Sequence, residues 1–243
     1  MRRSCLLLLW FCGWVVSHPA YAVTLVAQDR GTFARSHVIE SPLFDEDIQA
    51  AETVERQDFE DFDAVDTSRA ELDPLSASSS ASLASSLTPQ SFRALGTAAS
   101  ALAAPESDRR AETPADSFFE ILFEVEEEQP YRLRGEVNAE TADDAEAFAV
   151  VELVYDGSSV EAEHTAGGNE IDKFDDTGSL AVGSYRLTAF ALTHGEVAGE
   201  ISNPTSQASF ELIFQVPEPT PNVGIPFSLL LLAGLAAARR KSP

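Results

Sequence analysis

The chain has 243 residues, of which 40 are acidic and 16 basic, so its formal net charge at pH 7 is −24. Between Val23 and Val216 there are 39 acidic and 11 basic residues, which gives this region a formal charge of −28. Such a surface repels the phosphates of nucleic acids and anionic lipid headgroups, so we expect no nucleic-acid partner.

Residues 1–22 have the organisation of a secretory signal peptide. Arg2 and Arg3 form a cationic start, residues 5–16 are apolar, and Ala20 and Ala22 supply the small side chains of a cleavage site. Since a spanning helix needs about 20 apolar residues, cleavage after Ala22 is favoured over an uncleaved anchor. Both cysteines lie in this segment, so the mature chain has no disulfide and no thiolate metal ligand.

The region 23–115 is acidic and then rich in Ala and Ser, and its structure is harder to predict. Residues 23–33 are compatible with an opening strand, and residues 47–56 with either a helix or a charged loop. The composition of residues 76–104 indicates a flexible linker or a weak helix. Pro89 and Gly96 interrupt regular secondary structure, which is also consistent with strands at 82–87 and 91–99. Residues 108–115 are expected to form an exposed loop.

The region 116–216 has the period-two alternation of β-strands. Strands are predicted around Phe119–Val125, Tyr131–Asn138, Phe148–Tyr155, Val160–His164, Lys173–Ala181, Ser184–Thr193 and Phe210–Phe214. Asp156-Gly157 is typical of a hairpin turn. Strands at this spacing predict an all-β fold, an antiparallel β-sandwich or a jelly-roll-like domain.

No residue stands out as catalytic. The mature histidines, His37, His164 and His194, belong to no catalytic or metal-binding motif, and no pair stands out among the many carboxylates. We therefore predict that the protein is not an enzyme. Tyr131, Tyr155 and Tyr185 are able to stack on sugar rings, but they occupy inward strand positions, which favours core packing for all three.

One group of carboxylates is a weak candidate for calcium. Asp172, Asp175 and Asp176 lie close together in the sequence near a turn, and oxygen ligands suit Ca²⁺. Because the EF-hand pattern is missing, a solvated acidic turn is the favoured interpretation. We therefore assign no metal or other cofactor, with calcium as the open alternative.

The C-terminal segment 216–243 combines a short motif, an apolar helix and a basic end. Val216, Pro217, Glu218 and Pro219 precede an apolar stretch at 223–238, which as a helix would be roughly 24 Å long, a little short of a bilayer core. Arg239, Arg240 and Lys241 follow and are expected to stay cytoplasmic. The segment is thus predicted to be a short transmembrane helix.

With its Pro217-Glu218-Pro219 triplet, its apolar helix and its Arg239-Arg240-Lys241 end, this segment resembles the sorting tail of PEP-CTERM proteins. The resemblance covers about 28 residues and implies an exosortase substrate from a Gram-negative bacterium that makes exopolysaccharide. Members often have Ala/Ser-rich strands, which favours strands over a linker at 76–104, and a hairpin similar to residues 178–187. A plain stop-transfer anchor is the alternative explanation.

These features together predict an exported, non-catalytic protein with a structural or adhesive role at the cell surface or in the extracellular matrix. Its expected partners are signal peptidase, exosortase, the inner membrane transiently through the tail, and exopolysaccharide or other matrix components. Two other functions stay open, a carbohydrate-binding module for the exopolysaccharide and, with less support, a secreted hydrolase.

Overall fold

The computed structural model describes residues 23–41, 44–72, 75–103, 110–155, 159–198 and 203–217. The predicted signal peptide, its cleavage site at Ala20 and Ala22, and the tail from Glu218 onward lie outside the described residues. Within those ranges no helix is long and apolar enough to cross a membrane. The strands are β1 (Val23–Ser41), β2 (Phe44–Arg56), β3 (Phe62–Leu72), β4 (Leu75–Thr88), β5 (Ser91–Ala103), β6 (Arg110–Glu112), β7 (Ala115–Val125), β8 (Gln129–Ala142), β9 (Glu146–Tyr155), β10 (Ser159–Gly167), β11 (Glu170–Leu180), β12 (Gly183–His194), β13 (Glu196–Ala198) and β14 (Thr205–Gln215).

The strands form two antiparallel sheets that pack face to face. Sheet A has the order β10-β9-β12-β7-β1-β6-β13, with β2 paired to the other edge of β1, and sheet B has the order β11-β8-β14-β5-β4-β3. Strand β1 is 19 residues long, so it pairs first with β7 and then with β6 on the same side. The predicted all-β antiparallel sandwich is confirmed.

Most connections between β5 and β14 cross from one sheet to the other. Strands β5, β8, β11 and β14 lie in sheet B and β6, β7, β9, β10, β12 and β13 in sheet A, so the connections β6–β7, β9–β10 and β12–β13 stay within sheet A and the others cross. Winding between two sheets of this kind also occurs in jelly rolls. The turn at Asp156-Gly157 lies outside the described residues.

The core lies between the sheets and centres on an aromatic cluster. The Phe214 ring on β14 lies 5.3 Å from Phe92 on β5, 5.4 Å from Phe123 on β7 and 5.9 Å from Tyr131 on β8, centroid to centroid. Strand alternation produces this cluster, because every second residue of β14 from Ser206 to Val216 is buried. Rings from both sheets therefore hold the sandwich together at its centre.

A polar layer lies beside this core, between β1 of sheet A and β3 and β4 of sheet B. The fully buried Arg30 donates hydrogen bonds to Ser85 Oγ and to the backbone oxygens of Asp58 and Glu60. The buried carboxylate of Asp66 accepts hydrogen bonds from Thr32 Oγ1 and from the backbone N–H of Val54. A buried charge needs such partners, so this layer fixes how β1 sits on β3 and β4.

Two stretches differ from their predicted structure. Residues 47–56, expected to be a helix or a charged loop, belong to β2, because β2 pairs with β1 from Arg30 to Ser41 and this ladder outweighs local composition. Residues 108–115, expected to be an exposed loop, contain β6 and the start of β7, and Ala111 and Ala115 are buried. Residues 104–109, between β5 and β6, lie outside the described residues, and so do the first two residues of that predicted loop.

The Ala/Ser-rich stretch forms β4 and β5, and its small side chains suit an inner face that faces bulky rings. Gly96 on β5 shows this directly, since a Cβ there would lie 2.3 Å from the ring of Phe210 and 2.6 Å from Ser117 Oγ. Both strands are longer than the predicted segments at 82–87 and 91–99. They pair with each other over their full length.

The chain enters and leaves the sandwich at the same end. Val23, the first residue of β1, lies opposite Val125 at the end of β7. Gln215, the last residue of β14, lies opposite Arg132 near the start of β8, and only a short turn joins β7 to β8. The two termini of the described domain are therefore close to one pole of the sandwich.

We expect Phe214→Ala to lower the free energy of unfolding by about 3–5 kcal/mol, because it removes the ring at the centre of the aromatic cluster. The measurement is urea denaturation, monitored by near-UV and far-UV circular dichroism. Phe59→Ala is the matched control, since that ring is 44% exposed and its loss should cost far less. Equal losses in the two variants would contradict the assigned core.

Candidate functional site

The outer face of sheet A carries a row of apolar residues, whereas the solvent-facing side of a sheet is usually polar. Reading across β1, β7, β12 and β9, the central row is Gly31, Phe118, Phe190 and Val150, each opposite the next. Because side chains alternate along a strand, Phe118 faces outward while Phe119 faces the core. The result is a partly exposed strip centred on the rings of Phe118 and Phe190.

The neighbouring rows surround this strip with further rings and with carboxylates. On one side the row across the same strands is Phe33, Asp116, Leu192 and Phe148, and on the other it is Asp29, Glu120, Thr188 and Glu152. The rings of Phe148 and Phe190 are 5.6 Å apart between centroids. Phe148 and Leu192 are 37% and 40% exposed, so the strip is open to solvent.

A groove with a volume of about 300 Å³ opens in this face. Gly31 helps to shape it, because the Phe118 ring packs directly against the backbone of Gly31. A Cβ at that position would lie 2.7 Å from the ring. The residues that line the groove are Asp29, Asp116, Phe118, Phe119, Glu120, Thr188, Phe190 and Leu192. Its lining thus combines aromatic rings with three carboxylates.

The carboxylates of the groove are held in unfavourable surroundings. Asp29 and Glu120 lie directly opposite each other on β1 and β7, where like charges repel. Asp29 Oδ1 is buried and accepts no hydrogen bond within the described part of the chain. Burial raises the pKa of Asp116 above its ordinary value.

The groove has the chemistry of a binding site. Carboxylates only accept hydrogen bonds when ionised, so the groove favours a ligand rich in donor groups. Its rings offer apolar faces for stacking and attract cations. A shallow depression of about 450 Å³ on the outer face of sheet B is instead lined by small Ser, Thr and Ala side chains together with Arg69.

The structure does not bring the three calcium candidates together. Asp172 and Asp176 lie on strand β11, and their Oδ2 atoms are 2.8 Å and 2.6 Å from the two ring nitrogens of His164. Asp175 points to the opposite face of β11, where Arg132 donates two hydrogen bonds to it and lowers its pKa. Within the described ranges no group of three or more His, Cys, Asp or Glu side chains is arranged to hold a metal ion.

His164 instead forms a clamp with Asp172 and Asp176 at one edge of the sandwich. Its ring stacks on Phe174 with centroids 4.0 Å apart, and its side chain is 16% exposed. A protonated imidazole donates to both carboxylates, whereas a neutral one donates to a single carboxylate. Since β10 and β11 are edge strands of different sheets, the clamp joins the two layers.

The tyrosines considered for sugar stacking belong to the core or its margin. Tyr131 and Tyr185 are 8% and 3% exposed, and both pack in the main cluster. Tyr155 is partly buried against that cluster and donates a hydrogen bond to the backbone oxygen of Val182. The rings that reach the outer face are phenylalanines, which the sequence analysis did not select. The adjacent pair Phe118-Phe119 was the available signal, because two consecutive residues of a strand point to opposite faces.

The structure describes only the first two residues of the predicted sorting motif. Val216 is 1% exposed in the core, and its backbone N–H donates a hydrogen bond to the backbone oxygen of Gln90. Pro217 follows and is exposed. Glu218, Pro219, Arg239, Arg240 and Lys241 lie outside the described residues.

Comparison with known proteins finds no matching family model and no matching curated protein. Several solved structures are distantly similar. A carbohydrate-binding module described as "CBM4 structure and function" is 10% identical over 51% of this chain and 75% of its own, with a TM-score of 0.26. The module TmCBM61, solved with β-1,4-galactotriose, is 12% identical over 50% of this chain and 82% of its own, with a TM-score of 0.23.

A third similar structure is the enzymatically active domain of tailspike protein 4 from bacteriophage CBA120. It is 12% identical over 56% of this chain and 19% of its own, with a TM-score of 0.21. Likenesses as distant as these carry no inference about this chain. Its function has to be argued from the groove, the clamp and the chain termini.

We expect Asp116→Asn to raise the melting temperature at pH 7, because the raised pKa of Asp116 means that its ionised form is disfavoured in the folded state. In the wild type the protonated Asp116 stabilises the folded state at low pH, and this contribution is lost as the pH rises through the folded-state pKa of Asp116. The amide of the Asn variant does not titrate. The difference between the two proteins should therefore shrink as the pH falls toward 3.8, the ordinary value. Calorimetry from pH 3.5 to 7.5 measures it, and a destabilised Asn variant at pH 7 would contradict it.

We expect His164→Leu to lower the free energy of unfolding at pH 6 by about 1–2 kcal/mol, since it leaves Asp172 and Asp176 without their shared donor. The control is His194→Leu, because the Nε2 atom of His194 is 3.9 Å from Glu196 and outside hydrogen-bonding distance. Urea denaturation compares the two. A loss in the control as large as in His164→Leu would argue against the clamp.

Proposed function

We propose that this protein is exported, sorted by an exosortase, and displayed at the cell surface or in the extracellular matrix as a non-catalytic β-sandwich. Signal peptidase removes residues 1–22, and exosortase acts on the segment that begins at Pro217-Glu218-Pro219. The apolar stretch and its basic end hold the protein in the inner membrane until then. The sandwich has a structural or adhesive role after delivery.

The observation that carries this proposal is where the core ends. Val216 is the last buried residue of the described part of the chain and Pro217 is exposed, so the proposed sorting motif starts directly after the described sandwich. A cut beyond Val216 leaves every described strand in place. Val23, which would be the first residue after signal cleavage, is likewise buried in the core at the same pole.

The shared pole also suits a protein that is tethered and then displayed. The first and last residues of the described sandwich lie at one end of it, so both proposed processing sites adjoin that end in the sequence. The negative charge of the region keeps such a domain soluble in a crowded matrix. Bridging of its carboxylates by divalent cations to matrix polymers is part of this role.

A second candidate function is a carbohydrate-binding module. The groove on the outer face of sheet A favours it, because the groove offers the stacking rings of Phe118 and Phe190 together with carboxylate acceptors. The two functions are compatible, since a matrix protein that binds polysaccharide is both adhesive and non-catalytic.

We expect the native protein to begin at Val23 and to lack Arg239–Pro243, whereas the double variant Pro217→Ala/Glu218→Ala keeps the tail and accumulates in the inner membrane. Intact mass and cell fractionation measure both properties. Pro221→Ala, a change in the spacer outside the triplet, is the control and should be processed like the wild type. Wild-type protein that keeps its basic end in the membrane would show that the tail is an ordinary anchor.

A further inference from the structure

We propose that the groove on the outer face of sheet A binds a polysaccharide that carries free amino groups, such as a hexosamine polymer that is at least partly unacetylated. The inference rests on the proposed function to the extent that delivery to the matrix brings the protein to such a polymer. The groove itself, however, is defined by described residues of β1, β7 and β12.

The charge of the groove selects the sign of its ligand. Asp29, Asp116 and Glu120 all line it, and all three are acceptor-only groups when ionised. Two basic side chains flank the groove one row away, Arg186 between Leu122 and Val154 and Arg35 two residues beyond Phe33 on β1, so the three groove carboxylates outnumber them. An ammonium group is therefore attracted, whereas the carboxylates of a uronic-acid polymer are repelled.

The buried acceptor on Asp29 points to a donor that the protein does not supply. Asp29 Oδ1 accepts no hydrogen bond in the described part of the chain, and its neighbour Glu120 repels it. A ligand ammonium in the groove would screen the repulsion between the Asp29 and Glu120 carboxylates.

The aromatic strip selects a ligand with an apolar face. Phe118 and Phe190 lie opposite each other on adjacent strands, and Phe148 continues the strip from β9 at 5.6 Å from Phe190. A pyranose ring presents C–H groups on one face, which can lie on such rings, and its ammonium can approach their π-surface. A small polyamine would meet the charges but leave most of the strip uncovered.

Self-association through this face is disfavoured by the same charges. Two copies pressed together would bring six groove carboxylates into one interface, since each copy contributes Asp29, Asp116 and Glu120. Like charges at an interface oppose association. A polymer with alternating apolar faces and ammonium groups is the better fit.

The test is isothermal titration of the full chain in detergent with the hexamers of glucosamine and N-acetylglucosamine, and with spermine as a cation that lacks sugar rings. We expect the glucosamine hexamer to bind at least 10-fold more tightly than the other two. Phe190→Ala and Asp116→Asn should each weaken that binding about 10-fold or more. Ile171→Ala and Asp63→Asn, exposed positions on sheet B, are the matched controls and should bind like the wild type.

Three binding results and one association result would overturn the proposal. The binding results are no binding of the glucosamine hexamer, equal or tighter binding of the acetylated hexamer or spermine, and equal weakening by the sheet B controls. Circular dichroism and melting temperature of each variant separate lost binding from lost folding. The experiment does not involve export, so it fails or succeeds independently of the sorting test. Sedimentation velocity without ligand would reveal a dimer that Phe190→Ala disrupts, and such a dimer would also overturn it.

Discussion

The insertion of the last strand, β14, between β5 and β8 is the constraint on which the rest of the structure depends. It pairs with β5 along Thr205–Gln215 and with β8 along the same residues, so it joins the first half of the chain to the second within sheet B. Its Phe214 then contacts rings from three other strands, including Phe123 of sheet A. Without β14, β3, β4 and β5 would have no paired neighbour in the second half of sheet B. The region 23–115 and the region 116–216 therefore form a single unit.

The sequence was most informative where one face of a strand is apolar and the other charged. The alternation of Phe119, Ile121 and Phe123 with acidic residues predicts β7 and its buried face, and the structure agrees. The same reasoning fails for residues 47–56, because the ladder between β1 and β2 is a long-range interaction that local composition does not encode. It also cannot predict the buried Arg30, whose hydrogen-bond partners lie 28 to 55 residues away in the chain.

The groove was missed for a related physical reason. Residues on the outer face of a strand are expected to be polar, so Phe118 and Phe190 look like additional core residues when each strand is considered alone. Only the register between β7 and β12 places them side by side, and only the pairing of β1 with β7 brings Asp29 against Glu120. The calcium hypothesis failed to anticipate His164 likewise, since His164 reaches Asp172 and Asp176 from a strand of the other sheet.

The position of the groove relative to the chain termini connects the two proposals. Val23 and Val125 lie at the pole where the chain enters, and Phe118 is seven residues up β7 from Val125, which corresponds to roughly 23 Å at the rise of a strand. The groove therefore lies in the half of sheet A that is remote from the first and last residues of the described sandwich. If the proposed sorting enzyme acts beyond Val216, a ligand bound in the groove lies away from the point where the described chain ends. The repulsion between Asp29 and Glu120 persists until a cation screens it, which suits the proposed encounter with a cationic ligand after export.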